Sequence, residues 1–312
     1  MGEESQEDEG SDPSNIVFLD RDDSASGSRN EGCRSEKKEE ISPGVILGRT
    51  LRHFFPDFSK WISSLPDGRD QSRITYHQRH MIWSGMFIFL LHLESRRQFR
   101  FERETESFRE NMLALAGTSE DAVAHPDTLE NYLRLLPHAS LADLPASMIQ
   151  RLIRMKALDA FRLSGCFLIA IDGSGQLVFD ERHCPHCLHR TSAAGKTIYF
   201  HPILEAKLVT SNGFAFSVAT EFIENPEEKY DKQDCELKAF YRLEKTLKAR
   251  FPRTPLCLLF DAIYANKPVF DIARNNGWKF MVTFKEGSLP ALYEEAMNLR
   301  NRPVNACRQM GA

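Results

Sequence analysis

Two aspartates stand where chemistry could be done. Asp172 closes the unbroken apolar run 166–171, CFLIAI, and Gly173-Ser174-Gly175 follows it; Asp261 closes a second run, LCLLF at 256–260. A short continuous apolar run bounded by a turn reads as a strand buried on both faces. A carboxylate at its end lies at the edge of a sheet, where water or a ligand can reach it. Taken singly, each Asp reads as a cap for the turn or helix that follows. Two of them ending two central strands imply more. Paired carboxylates at one sheet end repel each other unless a cation neutralises them, and hard oxygen ligands suit Mg²⁺ or Mn²⁺. Asp172 and Asp261 are therefore the candidate catalytic acids and the candidate ligands of such an ion.

A second group has softer donors. His183, Cys184, His186, Cys187 and His189 fall within seven residues. The two-residue gap in Cys184-Pro185-His186-Cys187 is that of a zinc knuckle, in which both thiolates can face one tetrahedral ion. One such pair supplies two ligands. His201, Cys235 and His189 are candidates for the others, and the preferred set for a structural Zn²⁺ is Cys184, Cys187 and His201. Such an ion would brace the long connection between the first two strands. A surface turn with unmetallated thiols is the plainer reading. A redox role for the CxxC pair is weaker, because no helix start follows Cys184.

These groups need elements to position them. From about residue 44 the pattern is helical: residues 50–63 mix apolar and basic side chains around Pro56, and 76–93 reads as a mostly apolar, buried helix. Asp127 and Glu130 suggest a capping box before a helix whose face carries Leu129, Tyr132, Leu133 and Leu136. A further amphipathic helix is expected over 145–161, with Met148, Leu152, Met155 and Leu158 as its apolar stripe and Arg151, Arg154 and Arg162 on its outer face. The pattern then changes. Strands are expected at 166–171, 197–209 and 214–222, the last two joined around Asn212-Gly213, a strong hairpin signal. A long helix over 231–251, a strand at 256–260, a helix over 267–276 ended by Gly277, a strand at 278–284 and a helix over 289–299 follow. The implied class is α/β, with a mixed sheet in the order β-β-β-α-β-α-β-α. The chain divides into an acidic disordered tail (1–43), a helical region (44–163), the α/β core (164–300) and an irregular tail (301–312).

Composition bounds the setting. The 312 residues carry a net charge of −4, made of −8 in residues 1–40 and +4 in the rest. An acidic, apolar-poor tail cannot offset its ordering entropy, although NIVFL at 15–19 could be a docking patch. The mildly basic remainder suits a nucleic-acid partner, with Arg96, Arg97, Arg100 and Arg103 interleaved with Phe99 and Phe101. Lys238, Arg242 and Lys245 add another basic face. Seven cysteines without framework spacing argue against a secreted disulfide scaffold. The acidic N-terminus is neither a signal nor a transit peptide. The most apolar stretch, 81–93, is too short to span a bilayer. The expectation is a cytoplasmic protein without a membrane partner.

Several separate words occur in order: IDGSG, HCPHCLHR, GKTIYFHP, EFIEN, KQDCELKAF, LFDAIYANKPVF and WKFMVTFKEGSLP. Together with an Asp after the first and fourth strands, they resemble the ribonuclease-H-like core of DDE transposases of bacterial insertion sequences. The resemblance covers about 165–299, and more weakly the helices from about 73. It implies Mg²⁺- or Mn²⁺-dependent cleavage and transfer of double-stranded DNA at transposon ends, with Asp172 and Asp261 as the first two acids; a homodimer is a candidate assembly. The family's third acid is a Glu on a later helix. No such helix follows before Ala312, so a C-terminally incomplete or remnant chain is expected. Glu295, 34 residues after Asp261, is a weak candidate by spacing. Glu236 is the preferred one. At 100° per residue it falls on the apolar side of its helix, where an acid is costly unless paired. The resemblance to ribonuclease H, whose first helix after the hairpin strands supplies a carboxylate to the metal, makes Glu236 the third active-site acid. The alternatives are a non-catalytic DNA-binding protein and a nuclease of the same fold.

Overall fold

The computed structural model describes residues 43–300, apart from residues 94, 118–121, 227–231, 284, 286 and 288. The tail expected at 1–43 (save Pro43), its patch at 15–19 and the tail at 301–312 lie outside the described residues. The described residues form two compact units, divided between Leu144 and Pro145.

The first unit is helical: α1 (Pro43–Phe54), α2 (Phe58–Ser63), α3 (Gln78–Leu90), α4 (Arg96–Glu102), α5 (Glu106–Ala116), α6 (Pro126–Leu135) and the start of α7 (His138–Arg154). Pro56 separates α1 from α2, since the residue before a proline is pushed out of helical geometry. α3 buries Met81, Ile82, Trp83 and Phe87, as its apolar composition requires. Phe99 of α4 is in the core, whereas Phe101 is exposed. Two expectations are corrected. The cap of α6 is His125, whose Nδ1 accepts from the Asp127 amide at 3.3 Å, because Pro126 suits the first helical position. Asp127 therefore lies inside the first turn. The helix expected over 145–161 begins seven residues earlier, with Pro145 inside it. Burial of Ala146, Ile149 and Leu152 carries it past the proline. It ends before Lys156, whose φ of 60° is left-handed, leaving Met155 exposed and Arg162 beyond the helix.

The second unit is α/β. Its strands are β1 (Phe167–Phe179), β2 (Leu188–Thr191), β3 (Thr197–Val209), β4 (Ala215–Phe222), β5 (Leu256–Phe260) and β6 (Lys279–Val282). They form one mixed sheet in the order β2-β3-β1-β5-β6, with β4 also on β3. β1 runs antiparallel to β3 and parallel to β5, and β5 is parallel to β6. The long β3 takes β2 along residues 197–200 and β4 along 203–209. Helices α8 (Glu236–Arg250), α9 (Lys267–Asn275) and α10 (Pro290–Arg300) complete the order. α8 packs on β4 and β3, burying Ala239, Phe240, Leu243 and Leu247. Asn266 caps α9 by accepting from the Val269 amide at 3.1 Å, and Gly277, with φ of 73°, ends the turn that leaves it.

Two sheet features were not anticipated. β2 arises inside the His/Cys-rich segment. Gly173-Ser174-Gly175 does not turn the chain; β1 continues to Phe179 because β3 is long enough to pair with it throughout, with an irregularity between Gly175 and Leu177.

Candidate active site and metal centre

The pairing of β1 with β5 fixes the two aspartates. Ala170 pairs with Leu259, the last partner pair between these parallel strands. Two residues further along each strand come Asp172 and Asp261, so they stand at one level where β5 leaves the sheet. The alternation of side chains puts both on the same face. Asp172 is thus a mid-strand residue that meets solvent because its neighbour on one side has ended. Asp261 also does what a lone Asp would do: its Oδ1 accepts from the Ile263 amide at 3.0 Å, capping a single 3-10 turn, Ala262–Tyr264.

Glu236 arrives from the other layer. It is the first residue of α8, preceded by Cys235 in extended geometry, so it lies in the first helical turn and not the second. Its carboxylate rests on Gly173. A Cβ placed on Gly173 would lie 2.4 Å from Glu236 Oε1 and 2.5 Å from Cδ. The seat therefore exists only because residue 173 has no side chain. The Glu236 carboxyl titrates above its ordinary value, first through burial and then through the negative charges of Asp261 and Asp172. Tyr264, buried against Phe240 and Phe260, approaches Glu236 and pulls the other way, short of a well-formed hydrogen bond. Burial and the charges of Glu236, Asp261 and Asp172 in turn push the Tyr264 phenol upward. Gly173 and Tyr264 were missed by sequence reasoning, the first because GSG reads as a turn. The three carboxylates remain apart: among the described residues, only Cys184, Cys187 and His201 bring three ligand atoms within 4.8 Å of one another. Glu295 is exposed on α10.

Glu205 sits opposite Asp172 in the β1–β3 register but is otherwise engaged. Lys207 pairs with it at 2.8 Å, and Ser217 and Thr220 of β4 donate to its Oε1. Burial would raise its pKa; those partners prevail and hold it below the ordinary carboxylate range.

The softer group lies further along the same ribbon. Cys187 directly precedes β2, and His201 stands on β3 opposite Leu177 of β1. The Sγ atoms of Cys184 and Cys187 are 3.7 Å apart, and His201 Nε2 lies 3.3 Å and 3.1 Å from them. Of the three candidates to complete the pair, only His201 joins it. His189 is held through its backbone by Gln233, and Cys235 is exposed beside Glu236. Burial pushes the Cys184 thiol up, while the backbone amides of His186 and Cys187 favour the thiolate.

The expected basic faces are partly committed to internal ties. Arg162 pairs with Asp159 at 2.8 Å and stacks on the Phe167 ring at 4.4 Å. Arg242 binds Glu221 at 2.6 Å and Asp234 at 2.7 Å. Arg103 donates to the Val123 carbonyl at 2.7 Å. Lys238 donates to the Lys232 and Gln233 carbonyls. Arg97, Arg100 and Arg154 are exposed. Among the described residues no helix is long and apolar enough to cross a membrane.

No family model matches this sequence, and no curated protein matches it either. Among solved structures, the chain is similar to a piggyBac transposase in a synaptic complex with hairpin DNA, at 13% identity and a TM-score of 0.34, covering 83% of this chain and 54% of that one. The chain thus spans about half the length of that structure.

Proposed function

We propose that the second unit is a ribonuclease-H-like core of the transposase type, cutting and joining double-stranded DNA with a divalent cation at Asp172, Asp261 and Glu236. The observation that carries this reading is where the fold sets the three acids: Asp172 on β1, Asp261 level with it just past β5, and Glu236 of α8 seated on Gly173. Element order supports it as well. Setting β2 aside as an insertion, the elements of the second unit run β-β-β-α-β-α-β-α along the chain, the order on which the resemblance rests.

The donor set fits Mg²⁺ or Mn²⁺. It is all oxygen, open to solvent at Asp172 and Asp261, and its charges destabilise one another at Glu236. When bound, such a cation activates the attacking oxygen and stabilises the leaving one in an in-line displacement at phosphorus. The chain's own residues would do the rest. Asp172 and Asp261 present fixed oxygens from the rigid sheet. Glu236, with its raised pKa, is the member that can exchange a proton as charge at the site changes. Tyr264 closes the inner side of the site against water. The exposed Arg97, Arg100 and Arg154 are candidates for phosphate contacts, which position a duplex and make binding salt-sensitive.

The test is the thermal response to Mn²⁺ and Mg²⁺. At ~100 times Kd, an ion bound only by the native state adds about 2.7 kcal/mol, or about 5–10 °C for a domain of this size. Asp172→Asn and Asp261→Asn should each abolish most of that shift and any nicking of duplex DNA. An unchanged shift in both variants overturns the site. Retained salt-sensitive DNA binding without metal response or nicking would favour a non-catalytic DNA-binding protein.

A further inference from the structure

The second ligand cluster has dimensions of its own. For a tetrahedral zinc with Zn–S about 2.3 Å and Zn–N about 2.0–2.1 Å, the edges of the ligand polyhedron are about 3.8 Å between sulfurs and about 3.6 Å between sulfur and nitrogen. The observed separations are 3.7 Å for the sulfurs and 3.3 Å and 3.1 Å from each sulfur to His201 Nε2. All three atoms therefore lie close to the corners of one face of that tetrahedron. A disulfide is not what brings the cysteines together, since both are free and their sulfurs stand well beyond the bond length of about 2.05 Å. The ligands lie 14 and 17 residues apart in the chain, the knuckle in the connection after β1 and the histidine on β3. The antiparallel pairing of β2 with β3 brings the two segments together.

What lies behind the ligands is as specific. Asn225 is fully buried, and its side chain donates to the Cys187 carbonyl at 2.9 Å and accepts from the Asp234 amide at 3.2 Å. Its backbone amide donates to the His186 carbonyl at 3.1 Å, and its own carbonyl meets His186 Nδ1 at 2.7 Å. Gln233 accepts from the His189 amide at 2.7 Å and donates to the His189 carbonyl at 3.0 Å, acting as a one-residue strand partner. The knuckle is thus tied through Asn225 and Gln233 to residues 233–234, which lead through Cys235 into Glu236.

We infer that Cys184, Cys187 and His201 bind one zinc ion, with solvent completing the tetrahedron, and that this ion fixes the knuckle against which the entry to α8 is set. Zinc binding stands on the cluster's own geometry. Its relevance to Glu236 as a site acid rests on the function proposed above, and the readouts below separate the two.

The experiment uses the full chain purified without chelator. Elemental analysis should find a single zinc per chain, and cobalt in its place should give the intense visible bands of a tetrahedral site with thiolate-to-metal charge transfer. Cys184→Ser and His201→Ala should lose the metal; Cys235→Ser and Asp172→Asn should keep it, whatever becomes of the Mn²⁺ response. A wild-type protein that takes up neither zinc nor cobalt overturns the site without needing any variant to fold, as does a reversible Cys184–Cys187 disulfide in place of metal uptake. For the linkage, hydrogen exchange is compared before and after stripping the zinc. Faster exchange is expected at 184–191 and also at 222–226 and 232–237. Acceleration confined to 184–191 overturns the link to α8.

Discussion

β1 and β3 form one ribbon with a different ligand set at each of two places along it. Near the middle, Asp172 stands level with Asp261 while Glu236 rests on the neighbouring Gly173; further on, the strands present His201 to Cys184 and Cys187. The soft set already has the spacing of an ion's coordination face and is backed by a buried asparagine and a paired glutamine. The hard set is looser. Its members come from β1, from a 3-10 cap and from a helix start, and the charges act on one another. The difference has a chemical basis: carboxylates brought together repel one another unless a cation neutralises them, a cost that thiol and imidazole groups do not carry in their uncharged forms. A structural site can be built by packing alone, but a site that must bind and release charge retains repulsion until its cation arrives.

The comparison is broken most severely at Asn225. Asn225→Ala leaves the Cys187 carbonyl and the Asp234 amide buried without that partner, and should cost about 3 kcal/mol in urea denaturation, from about 1–3 kcal/mol per unsatisfied group. A cost below about 1 kcal/mol would mean that the knuckle is not set by this tie.

Gly173 sharpens the other half. Ala there collides with the Glu236 carboxylate, so Gly173→Ala should destabilise by about 1 kcal/mol and reduce the Mn²⁺ shift. Gly173 has no left-handed φ, so in a Glu236→Ala background the same change should instead stabilise by about 0.5 kcal/mol, since Ala loses less entropy on folding. This reversal of sign, measured as a double-mutant cycle, would tie the two residues. Additivity would separate them.

The aspartates were legible because an apolar run ended by a carboxylate is a local signal, and their level match followed from strand pairing. Glu236 was legible by helical angle, yet its helix starts at 236, whereas the pattern suggested 231. Gln233 is held by His189 of β2, and Asp234 by Glu224 just past β4 and by Arg242, and no local periodicity reports such ties. His201 was one of three candidate ligands and already the preferred one, and the structure places its Nε2 beside both sulfurs. The arginines divide. Arg162 pairs with Asp159 and stacks on Phe167, and Arg242 pairs with Glu221 and Asp234, whereas Arg154 is exposed; charge pattern alone does not separate the two kinds. Asp261 is a cap, as its plainer reading has it, and capping is compatible with the role proposed above, because one oxygen can accept from an amide while the carboxylate still presents charge.

The smallest effect is also the most diagnostic. Glu236 has its folded pKa raised by burial and by Asp261 and Asp172. Between the ordinary carboxylate range, about 4.3 for Glu, and that higher folded value, the native state binds more proton than the unfolded chain. Stability therefore falls as pH rises through this window. Glu236→Gln removes the ionisation while keeping the shape. At neutral pH and without metal, the variant should be slightly more stable than the wild type. Its advantage should vanish on acidification below the ordinary range, where Glu236 is neutral in both folded and unfolded states. With saturating Mn²⁺ the order should reverse, because the wild-type carboxylate then gains a counter-charge that Gln cannot use. Thermal denaturation across pH, with and without the ion, reads all three conditions. If Glu236→Gln is less stable at neutral pH without metal, Glu236 is a structural partner of its surroundings. The carboxylates offered to the proposed cation would then be two, Asp172 and Asp261.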